Sequence, residues 1–366
     1  MNQPRIISGS SSIVLDSLRI GAALTVFVFH AYLIWGVSNM GILENFAHTA
    51  VVVFFVLSGF VIAYTTKINN RGTIQYFQAR FSRLYSIVLP ALLISGICEV
   101  LVKLNNHEIY SFYIRGNSLP RYLISGLFIN EIWFFSSAPP IDSPLWSLSY
   151  EFWYYIIFGL WFFRKADTGI KSFILPVLAL IITGPKILLL MPVWLIGYIA
   201  YHFPLANLSK SSRWILVSTT LITVPIIVIF FPVLPNKAGT PPLYFAAQFL
   251  TDWLIGLLIG MALWLLPQGN KEQKQVKWIN GLRVAADLTF PLYVLHYPLL
   301  ILWAAIYSRK IQSAKDLWLP ILVVLVIVAI IGYILEKYRY LWTMMFKYLF
   351  SNLHTSLMKI RRNVTT

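Results

Sequence analysis

Apolar residues fall in long runs along this chain, and short polar segments between them carry most of its arginine and lysine. Residues 14–35 read VLDSLRIGAALTVFVFHAYLIW. A run of about 20 mostly apolar residues is enough to cross a bilayer. By that test the pattern predicts ten spans, at about 13–36, 48–66, 84–104, 145–163, 172–185, 186–203, 214–232, 243–266, 287–307 and 317–338. The spans at 172–185 and 186–203 are one apolar run broken at Gly184, Pro185 and Lys186. A further apolar segment, 120–136, contains Glu131 and reads as an eleventh span or as a re-entrant or interfacial piece. The expected fold is an all-α polytopic transmembrane helical bundle. Residues 1–338 would form the membrane domain, and 339–366 an aromatic, basic cytoplasmic tail lying along the inner surface.

Composition agrees with this pattern. The chain is 58% hydrophobic and 11% charged, with a mean hydropathy of +0.72, where soluble domains carry about 25% charged residues. Thirteen Trp and 20 Tyr suit two membrane interfaces. A net charge of +16 raises the question of nucleic acid. Basic loops that fix topology and meet anionic lipid account for it better, so membrane lipid is the expected partner. With the N-terminus inside, 20 Lys and Arg fall in inside segments and 8 in outside ones, which predicts both termini in the cytoplasm. The single cysteine, Cys98, excludes an intramolecular disulfide and a cysteine metal cluster. The first run is too long and too charged for a cleaved signal peptide and reads as a retained helix.

The polar residues inside the runs are where chemistry is expected, because an ionisable group in a membrane helix costs about 2.5–3.5 kcal/mol on insertion scales. In the first run Asp16 and Arg19 are three apart and could pair locally. His30 follows Arg19 by eleven residues, close to three turns and roughly 16 Å along the same face. An imidazole there can act as a general base. In the second run Ser58 and Gly59 let helices approach closely. Arg80 and Arg83 share a face at the mouth of the third, as a positive-inside anchor or as a fork for phosphate. Glu151 lies four residues after Ser147 in an aromatic span and needs an arginine or a hydroxyl as partner. His296, late in the chain, is either a second polar contact or a satisfied core residue. No two of the six histidines sit at helical ligand spacing, so no metal site is expected.

Several short motifs together carry a resemblance: Leu15-Asp16-Ser17-Leu18-Arg19 with His30, the stretch 54–60 ending Ser-Gly-Phe, Arg80 with Arg83, Trp146-Ser147-Leu148-Ser149 with Glu151, and Tyr293-x-x-His296-x-Pro298. In order and spacing the chain resembles the integral-membrane acyltransferase-3 family, which includes bacterial O-acyltransferases of lipopolysaccharide, O-antigen and exopolysaccharide. Ser17, Ala50 and Tyr85 depart from the family's usual residues without removing an ionisable group. The chain as read stops soon after the last expected span, and so looks like the family's stand-alone members, without a fused esterase-like domain.

The resemblance implies transfer of an acyl group, most often acetyl, from cytoplasmic acyl-CoA to a hydroxyl of a cell-surface polysaccharide or lipid-linked glycan, in the bacterial inner membrane. No bound cofactor is implied; acyl-CoA is the donor substrate. His30 would be the base or the acyl carrier, with Arg19 near it. Arg80 and Arg83 would hold the CoA phosphates. Glu151, with Trp146 and Ser147, would line the acceptor side of a tunnel or orient the histidine; Asp16, Ser58 and His296 would line the same tunnel. The competing reading is a proton-coupled transporter or glycan exporter that uses His30, Glu151 and Asp252 as a relay. The absence of a visible internal repeat weighs against it.

Overall fold

The computed structural model describes residues 5–35, 41–68, 70, 72–164, 166–269, 277–307 and 314–365. Arg71, Lys165, Lys271, Lys274, Arg309 and Lys310, which entered the charge count, lie outside the described residues, as do the side chains of Lys277, Lys315, Lys359, Arg361 and Arg362. Among the described residues the fold is all-α. The helices are α1 (Ser10–Ile34), α2 (Gly41–Ile68), α3 (Thr73–Asn105), α4 (His107–Tyr113), α5 (Ser118–Gly126), α6 (Trp146–Phe162), α7 (Ile174–Thr183), α8 (Pro185–His202), α9 (Lys210–Phe230), α10 (Phe249–Leu265), α11 (Lys277–Asp287), α12 (Thr289–Ile306), α13 (Trp318–Lys337) and α14 (Arg339–Thr365).

All ten expected spans fall on helices. Among the described residues seven helices are long and apolar enough to cross a membrane: α1, α2, α3, α8, α9, α12 and the stretch formed by α13 and most of α14. The other three expected spans are shorter: α6 and α10 have 17 residues each and α7 has 10. The outward faces are apolar throughout. Leu93, Leu104, Ile215 and Leu322 are 62–76% exposed, which favours hydrocarbon over water as their surroundings.

The segment 120–136 is not an eleventh spanning helix. Its helix, α5, has only nine residues, about 14 Å, and irregular turns follow. Those turns fold around a buried ion pair: Lys186 Nζ lies 2.6 Å from Glu131 Oε2 and donates to the Phe135 carbonyl at 2.6 Å. Burial pushes the Glu131 carboxyl up to about 7, against the opposing pull of Lys186. The break between α7 and α8 sits beside it. Gly184 has φ 72°, and a Cβ there would come within 2.6 Å of the Trp133 Cα, so glycine is required twice over.

Two groups of helices meet at α1. On one side α2 packs on α8 and α10; on the other α12 packs on α3 and α13, and α1 touches both α2 and α12. The α2–α8 contact is exceptionally close. A Cβ on Gly59 would lie 1.9 Å from the Trp194 carbonyl oxygen, and one on Gly197 would lie 1.9 Å from that of Val56. This reciprocal glycine contact sets α2, and Ser58 with it, against Trp194. α14 lies against α3, with Gln78 donating to the Thr343 carbonyl at 3.1 Å and Phe346 and Phe350 packed on Phe81.

Candidate functional site

A cavity of about 770 Å³, open at one end, runs between α1, α2, α3, α6 and α12. Each helix presents one face to it. Val51, Phe54, Phe55, Ser58 and Val61 recur along α2 at three- and four-residue steps, and Ser147, Glu151 and Tyr155 recur at four on α6. Arg19 enters from α1 and Arg80 and Arg83 from α3. Arg80 also lines a second cavity of about 910 Å³ that opens beside Gly72 at the start of α3, so it stands where the two spaces meet.

A carboxylate and two hydroxyls lie at the centre. Ser58 Oγ donates to Glu151 Oε1 at 2.8 Å, and the Tyr155 hydroxyl donates to the same oxygen. Ser58 Oγ and the Tyr155 hydroxyl are 3.0 Å apart, and Trp194 Nε1 donates to Ser58 Oγ at 3.1 Å. Glu151 is thus satisfied by neutral groups. The Arg80 guanidinium lies 5.8 Å from the Tyr155 ring and 5.9 Å from the Tyr76 ring. Among the described residues none of Arg19, Arg80 and Arg83 belongs to an ion pair. Three guanidinium groups therefore face one cavity; Asp16 and Asp287 lie near Arg19, whereas Arg80 and Arg83 are left as a pair suited to an anion with several oxygens.

At the end of the cavity away from Arg80, the Tyr293 hydroxyl lies 2.7 Å from Ser147 Oγ and donates to the Pro144 carbonyl at 3.0 Å. Less than one turn further along α12, His296 meets His30. Nδ1 of His30 and Nε2 of His296 are 2.9 Å apart, with the rings stacked at 5.1 Å between centroids. The edge of Tyr297 closes on His30 at 4.9 Å.

The cavity therefore gathers Arg19, Ser58, Arg80, Arg83, Ser147 and Glu151. Five sequence expectations need correction. Neither His30 nor His296 lines this cavity; they meet each other beyond Tyr293. Trp146 does not line the cavity: its ring stacks on Phe245 at 4.2 Å and on His48 at 6.0 Å. Asp16 does not line the cavity; it lies near Arg19, without a direct ion pair to it, and near Arg283 and Asp287, where α1 passes α11. Glu151 does not orient His30, whose partner is His296. The relay from Glu151 to Asp252 is not continuous, because Asp252 accepts from Gln248 at 3.1 Å and pairs with His48 at 3.1 Å.

Sequence reasoning missed Tyr155 and Trp194, and it placed Tyr293 in a motif without giving it a role. Tyr155 and Tyr293 continue the faces of Glu151 and His296 at helical spacing, a signal hidden among the many aromatics. It also missed Asp142, which is fully buried and accepts from Ser95 at 2.7 Å. Burial holds that carboxyl well above the ordinary range, with the Ser95 hydroxyl opposing.

Comparison with known proteins adds an independent line. Residues 13–337 match the family described as Acyltransferase domain. A similar protein is Acyltransferase MdmB of Streptomyces mycarofaciens, 30% identical over 169 residues, which cover 43% of this chain and 40% of that protein. The matched region thus spans well under half the length of that relative. No solved structure matches the chain.

Proposed function

Because the chain belongs to the acyltransferase-3 family, we propose that it is a membrane O-acyltransferase that takes its acyl group, acetyl in the simplest case, from acyl-CoA. The acceptor is a hydroxyl of a cell-surface polysaccharide or lipid-linked glycan, and the setting is the bacterial inner membrane. One observation carries this reading: Arg19, Arg80 and Arg83 face a cavity that also holds the Ser58–Glu151–Tyr155 cluster, and Arg80 and Arg83 have no carboxylate in an ion pair with them among the described residues. Polyphosphate oxygens are the natural complement of such a set. Donor phosphates lie at Arg80 and Arg83, next to the second cavity, with both chain termini on the cytoplasmic side as the basic loops favour.

In the transfer, the acceptor hydroxyl gives its proton to His30 as its oxygen bonds to the thioester carbonyl carbon. The carbon–sulfur bond breaks, and the CoA thiolate leaves with that electron pair and takes up the proton. In a second order of events His30 attacks the thioester first and expels the CoA thiolate; the acceptor hydroxyl then takes the acyl group as its bond to His30 breaks, and the hydroxyl proton passes to the thiolate.

The test is transfer of label from radiolabelled acetyl-CoA to surface polysaccharide in membrane vesicles holding equal amounts of the native protein or His30→Ala. The expected result is labelling by the native protein and a loss of about 10²–10⁴-fold in the variant. Label retained on the native protein selects the relay. Full labelling by the variant removes His30 from the chemistry, and no labelling by the native protein with any acyl-CoA or glycan fraction overturns the reading.

A further inference from the structure

His30 has a neighbour that decides which of its two nitrogens can react. His296 has no exposed surface, and Nδ1 of its ring lies 2.9 Å from the Leu292 carbonyl oxygen. A carbonyl can only accept, so that nitrogen carries a proton. No carboxylate lies within ion-pairing distance of the ring among the described residues, and an unpaired buried cation is costly, so the ring is neutral. A neutral imidazole has one N–H, and here it is used on Leu292. Nε2 of His296 is then a lone pair, and the 2.9 Å contact is a hydrogen bond donated by Nδ1 of His30.

We propose that His296 is the positioning residue of the acyl transfer: it fixes His30 in the Nδ1–H form and leaves Nε2 of His30 as the nitrogen that meets the acceptor hydroxyl. The inference rests on the acyltransferase reading above and assigns a second residue to it. The surroundings agree with it. His30 keeps part of its surface accessible whereas His296 keeps none. Phe27 stands edge-on to His296 at 5.9 Å and Tyr297 edge-on to His30 at 4.9 Å, so both rings are held in orientation.

Proton accounting through the pair is simple. The acceptor hydroxyl's proton arrives at Nε2 of His30, which becomes imidazolium, and the bond from Nδ1–H to His296 becomes charge-assisted. The thiolate sulfur then removes the proton from Nε2. His296 gains and loses nothing. A neutral ring thus occupies the place where many hydrolases use a carboxylate, and it orients His30 without adding a fixed negative charge.

The other titratable groups around the pair do not bond to either ring among the described residues. Tyr293 donates to Pro144, Tyr297 stands edge-on to Tyr113 with Arg115 in the neighbourhood, and Asp142 accepts from Ser95 through Oδ2 while its Oδ1 has no hydrogen-bond partner. Cys98 of α3 packs in the apolar cluster with Tyr297, and Arg19 is three turns away along α1.

The experiment measures kcat, KM for acetyl-CoA and the pH–rate profile of the full-length protein in vesicles, as native, His30→Ala, His296→Phe and His296→Glu. Thermal unfolding in detergent checks each variant. His296→Phe is expected to lower kcat about 10²–10⁴-fold with KM for acetyl-CoA unchanged, since it removes the acceptor for Nδ1–H. His296→Glu is expected to recover at least tenfold over the Phe variant. Its acid limb is expected to move to higher pH, because a carboxylate beside His30 favours the protonated ring. Packing alone would not move that limb.

A His296→Phe variant as active as native overturns the positioning role and leaves the acyltransferase reading intact, provided His30→Ala is inactive. If the Phe variant does not fold, the Glu variant decides: a folded His296→Glu with an unshifted profile overturns the proposal. A native protein that transfers no acyl group defeats the underlying reading instead.

Discussion

Glu131, fully buried, and Glu151, half-buried, are two carboxylates of the same helical bundle, and their surroundings differ in one decisive respect. Glu131 has its own cation, Lys186, 2.6 Å away and equally buried. Glu151 is held by Ser58 and Tyr155, while Arg80 and Arg83 on its cavity form no ion pair among the described residues. The first arrangement is closed: charge, hydrogen bonds and packing are satisfied within the fold. The second leaves the guanidinium groups of Arg80 and Arg83 without an ion pair beside open space, where an anion would suit them. A buried charge alone therefore says little about function in this molecule; the presence or absence of an internal counter-ion separates structure from site.

The contrast can be broken by mutation. Lys186→Met should have the largest effect on folding, about 3–5 kcal/mol, because it strands Glu131 without a partner. Lys186→Met with Glu131→Leu should recover most of that loss, as read by thermal unfolding in detergent. A double variant no better than the single one would show that the ion pair does more than satisfy itself.

Arg80→Ala and Arg83→Ala should do the reverse. Each should weaken acyl-CoA binding by about 1.5–3 kcal/mol, roughly 10–100-fold in KM, by removing charged hydrogen bonds. Unfolding temperature should be unchanged or raised, because like charges are thinned out. An arginine variant that unfolds like Lys186→Met would erase the distinction.

Gly59→Ala and Gly197→Ala should each cost about 1–3 kcal/mol by forcing α2 and α8 apart. Activity should fall with them, since Ser58 sits at that contact and carries Glu151. The smallest effect is expected from Ser58→Ala. About 1 kcal/mol should be lost, because Tyr155 still donates to Glu151; the same unfolding assay checks it.

The sequence was a good guide to the helices and to most of the polar residues on the cavity. Apolar runs interrupted by turns placed all ten expected spans on helices, since length and hydropathy are local properties. Arg80 and Arg83, three apart, and Ser147, Glu151 and Tyr155, four apart, share faces by helix geometry alone. The same local logic failed for Trp146, whose tryptophan character is compatible with either a cavity wall or a stack, and the stack with Phe245 won. For 120–136 it left a span and a re-entrant or interfacial piece open, and nine helical residues with a buried ion pair decide against the span.

What the sequence determined by itself is the set of helices, their apolar outer faces, the basic loops between them, and which polar residues lie together along one helix. Partnerships between helices were decided only by the tertiary structure. His30 and His296 are 266 residues apart, Glu151 and Ser58 are 93 apart, and Lys186 and Glu131 are 55 apart. Periodicity carries no information over those separations. They are fixed by close packing, such as the reciprocal contact of Gly59 and Gly197. That contact turns two short-range patterns into one site.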